Sequence, residues 1–293
     1  MEAFKDKLLN IKKRATSLKW KEEYTLKYIW FFILLILFLL ITYPIFWVEK
    51  VSPAFQTFQE GEGLTQLRVM TFNIHHGEGM DGLVDLNRIA KVIKEANVDL
   101  VGLNEVDVRN FRSGMVNQIG FLGKKTEMNA FFAPTLWFGI GHYGNGVLAR
   151  FPILNPKEEE LPGFRGREVR GVFQFTIRLK NRNVQIIVTH LGLNPVERQR
   201  QLEFLTLKIQ KIKEPLIVLG DFNTTPTAPV MQKFLKDTGL MVHSYKPTFP
   251  AHNPELKVDY ILTSKEWEVV KEVTPIQGLA SDHLPVVGTF KLK

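Results

Sequence analysis

The chain carries the stretch Pro215-Leu-Ile-Val-Leu-Gly-Asp221-Phe-Asn223, an apolar run that ends in a carboxylate and an amide. Further along it carries Ala280-Ser-Asp282-His283-Leu-Pro285, where a carboxylate and a histidine precede a second apolar run. Because successive side chains of a strand point to opposite faces, Asp221 and Asn223 share one side while Phe222 faces the core. The sequence contains no glycine-rich nucleotide loop. The two stretches therefore predict a site for a phosphate oxygen, a metal-bound water or both.

Other apolar runs also end in side chains that bind metals or phosphates. One run delivers Asn73, the next Glu105 and a later one His190, before the run that delivers Asp221 and Asn223. Each residue alone is commonplace, since an Asn at a strand end is usually a turn residue and a single His is usually structural. The joint pattern instead indicates strands that deliver ligands to one rim of a sheet sandwich.

Short apolar, β-branched runs predict strands, and apolar residues at helical spacing predict helices between some of them. The predicted strands cover residues 67–74, 98–103, 146–149, 171–179, 184–189, 216–219, 258–262 and 286–292. The predicted helices cover residues 87–96, 195–212 and 229–238. A tight turn at 180–183 joins two antiparallel strands. We therefore expect an α+β fold, a four-layer α/β/β/α sandwich of two packed mixed β-sheets flanked by helices.

Residues 28–48 form an uncharged apolar segment with aromatic side chains near both ends. A helix needs about 20 apolar residues to cross a bilayer, and aromatic rings favour the headgroup region. A cleaved signal peptide is the competing interpretation, but its apolar core usually has about 7 to 15 residues and ends at a small-residue site. Ser52-Pro53-Ala54 matches such a site poorly. The sequence therefore favours an N-terminal transmembrane helix.

Flanking charge predicts how this helix is oriented. The leader, residues 1–27, has eight Lys or Arg against four acidic residues. The positive-inside rule therefore places the N-terminus in the cytoplasm and the rest of the chain outside it, at the cell membrane. Residues 49–66 are expected to form a linker and residues 67–293 a globular domain. Because the chain has no cysteine, that domain has no disulfides and depends on its core.

The net charge of +8 divides between these parts. The leader contributes +4, eight basic minus four acidic residues, which leaves +4 for the remainder. Such an excess fits a phosphate-bearing substrate, an anionic membrane surface or an ordinary soluble surface. The basic residues are not as dense as those on the surface of a dedicated DNA-binding domain.

The candidate ligands also predict the metal. Clusters of Glu, Asp and Asn without cysteine suit a hard cation such as Mg²⁺, which keeps several waters and meets phosphates through one or two carboxylates. A zinc site would need more His or Cys at short spacing. His75 and His76 are adjacent, so they cannot share one strand face. We expect them to form a doublet at the rim of the site rather than a pair of metal ligands.

The motifs occur in the order of a known family. They are Thr71-Phe-Asn73-Ile, Leu103-Asn-Glu105-Val, Gly144-Asn-Gly146-Val-Leu-Ala-Arg150, Val188-Thr-His190-Leu, Gly220-Asp221-Phe-Asn223, Asp259-Tyr260-Ile and Ser281-Asp282-His283-Leu-Pro285. This set resembles the endonuclease/exonuclease/phosphatase (DNase-I-like) superfamily, which includes pancreatic-type deoxyribonucleases, inositol-polyphosphate phosphatases and neutral sphingomyelinases. The resemblance covers residues 67–293 and implies that they form a metal-dependent phosphoester hydrolase, here a membrane-anchored bacterial member.

The resemblance also implies which residues bind the metal. Glu105 would be the principal Mg²⁺ ligand, with Asn73 beside it, Asp282 as a further ligand and Mn²⁺ as a substitute ion. The family usually has Gln before this Glu, whereas Asn104 stands here. The shorter side chain is not expected to abolish metal binding.

The remaining matched residues would carry the chemistry. The resemblance implies that His283 is the general base toward the attacking water and that Asp259 orients it. Asp221 would position the nucleophile or bind metal. Asn223 and His190 would hold the phosphate oxygens and stabilise developing negative charge.

Some segments keep two interpretations. The stretch Arg167-Glu168-Val-Arg170 is either a phosphate clamp or a solvated turn. Residues 111–137 combine basic and aromatic side chains, which either recognise DNA or lipid or form an exposed loop and a buried strand. Tyr143 and Asn145 lie in a stretch that adjoins the substrate in relatives, and the sequence assigns no contact to them.

The sequence therefore predicts a membrane-anchored, Mg²⁺-dependent phosphodiesterase or phosphatase that uses a metal-bound phosphate and a His-activated water. A lipid head group would explain the membrane tether and is slightly favoured over nucleic acid, the substrate of an extracellular endonuclease. A non-catalytic phosphate-binding module of the same fold is the other alternative, although binding alone does not need the whole polar set. No protein partner is predicted.

Overall fold

A computed structural model describes residues 27–38 and 65–293, apart from Arg165 and Arg167. The chain divides into two compact units, residues 1–50 and 51–293. In the first unit residues 27–38 are helical, and their apolar side chains are exposed.

Within the described residues, no helix reaches the length and apolarity that a membrane span requires. The predicted span over residues 28–48 continues into residues 39–48, which lie outside the described part, as do residues 1–26 and 49–64. The transmembrane helix, its basic leader and most of the linker therefore stay predictions.

The second unit is built on two six-stranded mixed sheets. The strands of the first sheet are β1 (Leu67–Asn73), β2 (Leu100–Val108), β3 (Asn129–Phe138), β4 (Gly141–Ala149), β11 (Trp267–Pro275) and β12 (Val286–Leu292). The order across this sheet is β11-β12-β1-β2-β4-β3. Only β1 and β2 are paired in parallel; the other neighbours are antiparallel.

The second sheet has the same plan. Its strands are β5 (Leu154–Glu160), β6 (Gly171–Leu179), β7 (Arg182–His190), β8 (Leu216–Asp221), β9 (Met241–Val242) and β10 (Asp259–Thr263), in the order β5-β6-β7-β8-β10-β9. Here β7 and β8 form the parallel pair. Each sheet thus has one central pair of parallel strands whose carboxyl ends lie at the same edge.

Four helices complete the unit: α1 (Leu86–Ala96), α2 (Gln118–Thr126), α3 (Pro195–Ile209) and α4 (Pro229–Thr238). Their starts follow local chemistry. The Asp85 side chain accepts a hydrogen bond from the Asn87 N–H before α1, and Asn194 caps α3, whose first turn contains Pro195. Such caps satisfy N–H groups that have no partner inside the helix.

Three apolar cores separate four layers. Side chains from both sheets, such as Val188 and Leu219, fill the space between the sheets. The first sheet packs its other face against α1 and α2, and the second sheet packs its other face against α3 and α4. Neighbouring residues alternate as strand geometry requires, since Leu219 lies between the sheets and Val218 lies under the helices. The predicted α/β/β/α sandwich is confirmed.

The differences from the prediction lie in segments with weak patterns. Strands β5, β9 and β11 and helix α2 were not predicted, and β3 was anticipated only as the buried strand in one interpretation of residues 111–137. Strand β5 has no apolar alternation, and every residue in it is exposed at the sheet edge, where charges suit an unpaired strand side. Helix α2 contains Gly120 and Gly123, which lower helix propensity. The predicted turn at 180–183 is tighter than expected, because only Lys180 and Asn181 lie outside the strands, both with positive φ.

Candidate active site

The ends of the parallel strands bring the predicted site residues together at one rim. Asn73 ends β1, and His190 on β7 lies opposite Asp221 on β8. Antiparallel β10 places Asp259 opposite the same Asp221. The side chain of Asn73 reaches Asp221 across the sandwich. Both sheets therefore contribute to one site.

The backbone leaves regular strand geometry where it delivers these residues. A Cβ on Gly220, whose φ is +147°, would lie 1.8 Å from the Thr189 carbonyl oxygen, so only glycine fits before Asp221. Glu105 has a φ of 59° within a bulge of the β2–β4 pairing, and Asn223 has a φ of 49°. Each such conformation costs about 1–3 kcal/mol and persists where the surroundings fix it.

Asn73 connects the two sheets at the centre of the site. Its Nδ2 donates to Glu105 Oε1 at 3.0 Å and to Asp221 Oδ2 at 3.1 Å. Its Oδ1 accepts the His75 N–H at 3.1 Å. The two carboxylates that the sequence placed on separate strands are therefore held by one amide.

Glu105 is kept ionised by its neighbours. Burial opposes ionisation, but the attraction of His190 and the hydrogen bond from Asn73 outweigh burial, and the pKa of Glu105 is lowered. A carboxylate that stays charged near neutral pH is a suitable cation ligand.

Asp221, Asp259 and His283 form a group that we name the acid–base cluster. All three are buried, and one oxygen or nitrogen from each lies within 4.8 Å of the others. His283 Nδ1 lies 2.9 Å from Asp259 Oδ2, and His283 Nε2 lies 3.7 Å from Asp221 Oδ2. Asp259 therefore fixes the ring so that Nε2 faces Asp221.

The charges in this cluster oppose the effect of burial. Burial disfavours the charged imidazole, but attraction to Asp259 and Asp221 raises the pKa of His283 to about 10. Burial also disfavours the Asp221 carboxylate, yet His283 and His190 lower its pKa. The neighbours of His283 therefore favour its protonated form, and the neighbours of Asp221 favour its ionised form.

His190 is positioned by a residue whose role the sequence left open. Arg170 Nη1 lies 2.7 Å from His190 Nδ1, and it also donates to the Tyr143 hydroxyl at 3.2 Å. Since a guanidinium only donates, Nδ1 of His190 accepts in this contact, and Nε2 is the ring nitrogen that can carry a proton. That nitrogen lies 3.4 Å from Asp221 Oδ2.

Asn223 contacts Asp221, as predicted, although it lies beyond the end of β8 and has a positive φ. Its N–H donates to Asp221 Oδ1 at 2.8 Å, and its Nδ2 lies 3.1 Å from His190 Nε2. Phe222 is fully buried among the helix-side apolar residues of the second sheet. The pattern read from residues 221–223 is confirmed.

Asp282 lies at the outer edge of the site. Its side chain is 31% exposed, and its Oδ1 lies 3.2 Å from Ser281 Oγ and 3.9 Å from His75 Nδ1. Ser281 Oγ also donates to the Asn73 carbonyl oxygen at 2.8 Å. Asp282 is thus connected to the strand end that carries Asn73.

His75 and His76 come together with Glu105 in a second group, which we name the imidazole cluster. One ligand atom from each residue lies within 4.8 Å of the others. The two rings meet edge to face with centroids 4.5 Å apart. The expected doublet at the rim is therefore found, but it contacts the principal predicted metal ligand instead of only bordering the site.

Several supporting residues were missed or left open by the sequence analysis. Asn104 donates to Asn145 Oδ1 and accepts the Asp221 N–H at 2.9 Å, so it links strands inside the sandwich. Lys257 is buried, donates to the Asp259 carbonyl oxygen, and has its pKa lowered to about 8, because burial outweighs the attraction of Asp259. Asn104 lies within a matched motif and Lys257 lies two residues before another. Those positions were the only sequence features that could have indicated these contacts.

Contacts settle the interpretation of Arg170 and account for part of the segment 111–137. Arg170 is buried against His190 and forms an ion pair with Glu168 at 3.0 Å, so it is not part of a solvated turn. Arg167 lies outside the described residues. In the segment 111–137, Arg112 pairs with buried Asp107 at 2.8 Å, and two aromatic residues of β3, Phe131 and Phe132, pack against the cores.

The donor set fits a divalent cation. The carboxylates of Glu105 and Asp282 both lie near His75, Glu105 within the imidazole cluster and Asp282 at 3.9 Å from His75 Nδ1. Carboxylate oxygens are ligands that hard cations prefer. Asp259 Oδ1 is buried and has no hydrogen-bond partner in the described part of the chain. A buried carboxylate oxygen without a donor is costly unless a cation or water satisfies it.

Comparison with known proteins places this geometry in a family. A sequence model of the Endonuclease/Exonuclease/phosphatase family matches residues 70–283. The uncharacterized protein YbhP of Escherichia coli strain K12 is 27% identical over 248 residues, which cover 77% of this chain and 96% of that protein.

Solved structures share the fold. An endonuclease/exonuclease/phosphatase from Bacteroides vulgatus has a TM-score of 0.66 at 20% identity, covering 78% of this chain and all of that one (100%). A mannosyl-6-phosphatase from Bacteroides thetaiotaomicron has a TM-score of 0.61 at 16% identity, covering 78% of this chain and 99% of that one. At these identities the likeness establishes the sandwich fold.

Proposed function

The chain belongs to the Endonuclease/Exonuclease/phosphatase family, and from this premise we propose that it hydrolyses phosphoesters with a divalent cation, Mg²⁺ or Mn²⁺. The observation that carries the proposal is the joined arrangement of the Asn73–Glu105 pair and the acid–base cluster around Asp221. A structure that only binds phosphate has no need for a histidine held between two carboxylates.

A divalent cation bound by Glu105, Asn73 and Asp282 would neutralise the phosphoryl oxygens and the leaving oxygen. The side chains of the chain perform the other tasks. Asp259 holds the His283 ring. In the cation-loaded site, where the added positive charge would disfavour the imidazolium, His283 Nε2 would take the proton of the attacking water. Asp221, which lies on the Nε2 side of that ring, orients the water.

Two donors face the phosphate side of the site. His190 Nε2 and the Asn223 amide lie together beside Asp221, where they can donate to phosphoryl oxygens as charge develops. Arg170 donates to His190 Nδ1, which leaves Nε2, the nitrogen that faces this space, as the ring nitrogen that donates to a ligand. Arg170 is therefore a positioning residue.

We propose further that the enzyme is anchored by a transmembrane helix at residues 28–48, with its N-terminus in the cytoplasm and its catalytic domain outside. The charge asymmetry around that segment supports this orientation. A protease added to intact cells should then digest the catalytic domain, and full protection of the domain would contradict the orientation.

A lipid head group or another small phosphoester is the proposed substrate class. A membrane anchor supports a lipid, and the segment 111–137 commits Arg112 to Asp107 and Phe131 and Phe132 to packing. Phe131 and Phe132 are therefore occupied by packing, whereas Phe111 and Trp137 of the same segment are exposed, so the lipid proposal rests on the anchor. An extracellular endonuclease is the second candidate because the family includes both endonucleases and phosphatases.

The test uses the purified full-length chain and bis(p-nitrophenyl) phosphate. We expect hydrolysis that requires Mg²⁺ or Mn²⁺ and stops when a chelator is added. Glu105→Ala should remove this activity, while His252→Ala, a change at an exposed histidine, should retain it. Activity without a cation, or full activity of Glu105→Ala, would contradict the proposal.

Natural substrates are then separated by direct competition. The same preparation is given vesicles of phospholipid and sphingomyelin beside plasmid DNA, with Mg²⁺ present. Release of head groups without nicking of the plasmid is the expected result. Plasmid cleavage with intact vesicles would favour the endonuclease, and inactivity on every phosphoester would favour the non-catalytic phosphate-binding module.

A further inference from the structure

His75 and His76 begin the short 3-10 helical turn His75–Gly77. They follow β1 directly, and both adopt a left-handed backbone with φ of 44° and 43°. The turn is held by the His75 N–H bound to Asn73 Oδ1 and by Gln118 Nε2, which donates to the His76 carbonyl oxygen at 2.5 Å. Strained residues fixed in this way commonly mark functional sites.

The turn changes which side chains can meet. Adjacent residues of a strand point to opposite faces, but in this turn both imidazoles approach Glu105, and the ligand atoms of the three residues lie within 4.8 Å of one another. Ligand atoms about 2.1 Å from a tetrahedral ion lie about 3.4 Å apart. A metal ion would therefore draw these side chains closer by about an ångström.

The hydrogen bonds of His76 leave one ring nitrogen open. Its Nε2 lies 3.3 Å from Glu78 Oε2, while its Nδ1 is buried without a partner among the described residues. The whole residue is only 7% exposed. A histidine that binds a metal usually has its other ring nitrogen bonded to a carboxylate or carbonyl. His76 has that arrangement, with Glu78 as the orienting carboxylate and Nδ1 as the available ligand.

We propose that the imidazole cluster is a second cation site, which takes a divalent transition-metal ion of the Zn²⁺ or Co²⁺ type and shares Glu105 with the phosphoester centre. Two imidazoles and one carboxylate suit such ions, whereas Mg²⁺ prefers oxygen ligands throughout. Three protein ligands leave a coordination position open for water or a substrate oxygen. The two sites share Glu105 and differ in their other ligands. Those of the second cation site come from the turn after β1.

The test measures metal binding without substrate, so its outcome is independent of the proposed hydrolysis. Metal-free full-length chain is titrated with Co²⁺, and the visible absorption of the bound ion is recorded. We expect a saturable band typical of imidazole ligation that persists in a large excess of Mg²⁺. His75→Ala and His76→Ala should lose this band, whereas His283→Ala and His252→Ala should keep it.

A folding check and one further variant keep the test decisive. His76 is buried, so its variant is checked for folding by circular dichroism, while the His75 side chain is 34% exposed and can be changed without opening the core. Glu78→Gln should weaken Co²⁺ binding about 10- to 100-fold, as expected for loss of an orienting carboxylate. The proposal is overturned if no band forms, if Mg²⁺ displaces it, or if it survives in folded His75→Ala.

Discussion

The acid–base cluster and the imidazole cluster use the same residue types at the same rim, and they differ in their partners. In the first, two carboxylates raise the pKa of His283 to about 10. In the second, burial, with a smaller contribution from Arg112, lowers the pKa of His76, and Nδ1 has no partner among the described residues. A histidine between carboxylates holds a proton, whereas a neutral histidine with an open nitrogen binds metals. The groups that surround each histidine, more than the residue type itself, therefore determine its role.

The largest expected effect comes from breaking the acid–base cluster alone. The Asp259 charge orients His283 and makes it a stronger base, and Asp259→Asn removes that charge. General base catalysis typically raises the reaction rate 10²- to 10⁴-fold. We expect kcat/KM for bis(p-nitrophenyl) phosphate to fall by about 100-fold or more. The Co²⁺ band should remain, because no ligand of the imidazole cluster is changed. Loss of the band together with the activity would mean that the clusters are not separate.

A smaller effect is expected at the residue behind His190. Arg170→Met keeps much of the side-chain length but removes the donor to Nδ1, so the ring can adopt the other tautomer. We expect kcat/KM to fall about tenfold and inhibition by inorganic phosphate to weaken, because His190 Nε2 no longer donates reliably. An unchanged inhibition constant for phosphate would show that His190 does not face the phosphate.

The pH dependence of stability sharpens the contrast between the two histidines. The folded-state pKa of His283 lies above its ordinary value of 6.5. Its protonation therefore stabilises the folded chain fully below pH 6.5, and this stabilisation is lost as the pH rises toward about 10. We expect the difference in free energy of unfolding between the metal-free chain and His283→Gln to shrink over that interval in urea titrations. A difference that grows with pH would have the wrong sign.

Strand parity and motif order were sufficient to predict the sandwich and the residues of the acid–base cluster. Runs such as residues 216–223 end in polar groups after uninterrupted apolar residues, and parallel pairing brings those ends together. Edge strand β5 and helix α2 were missed because charge and glycine obscure their periodicity.

The imidazole cluster was beyond sequence reasoning for a specific physical reason. Parity within a strand places His75 and His76 on opposite faces, and the prediction of a doublet at the rim followed from it. The chain instead leaves the strand after Asn73 and enters a left-handed turn, which the sequence signals only through Gly77. The role of Arg170 was left undecided because the sequence near a motif does not show whether an arginine is solvated or buried.

The most direct test of the account is the rate at which His283→Ala hydrolyses bis(p-nitrophenyl) phosphate in saturating Mg²⁺, relative to the unchanged chain and to His252→Ala. Both histidine variants should fold, but only His283→Ala loses the base that Asp259 and Asp221 surround. The account predicts that this variant is at least about 100-fold slower while His252→Ala matches the unchanged chain. A His283→Ala enzyme that hydrolyses the ester at the full rate would contradict it.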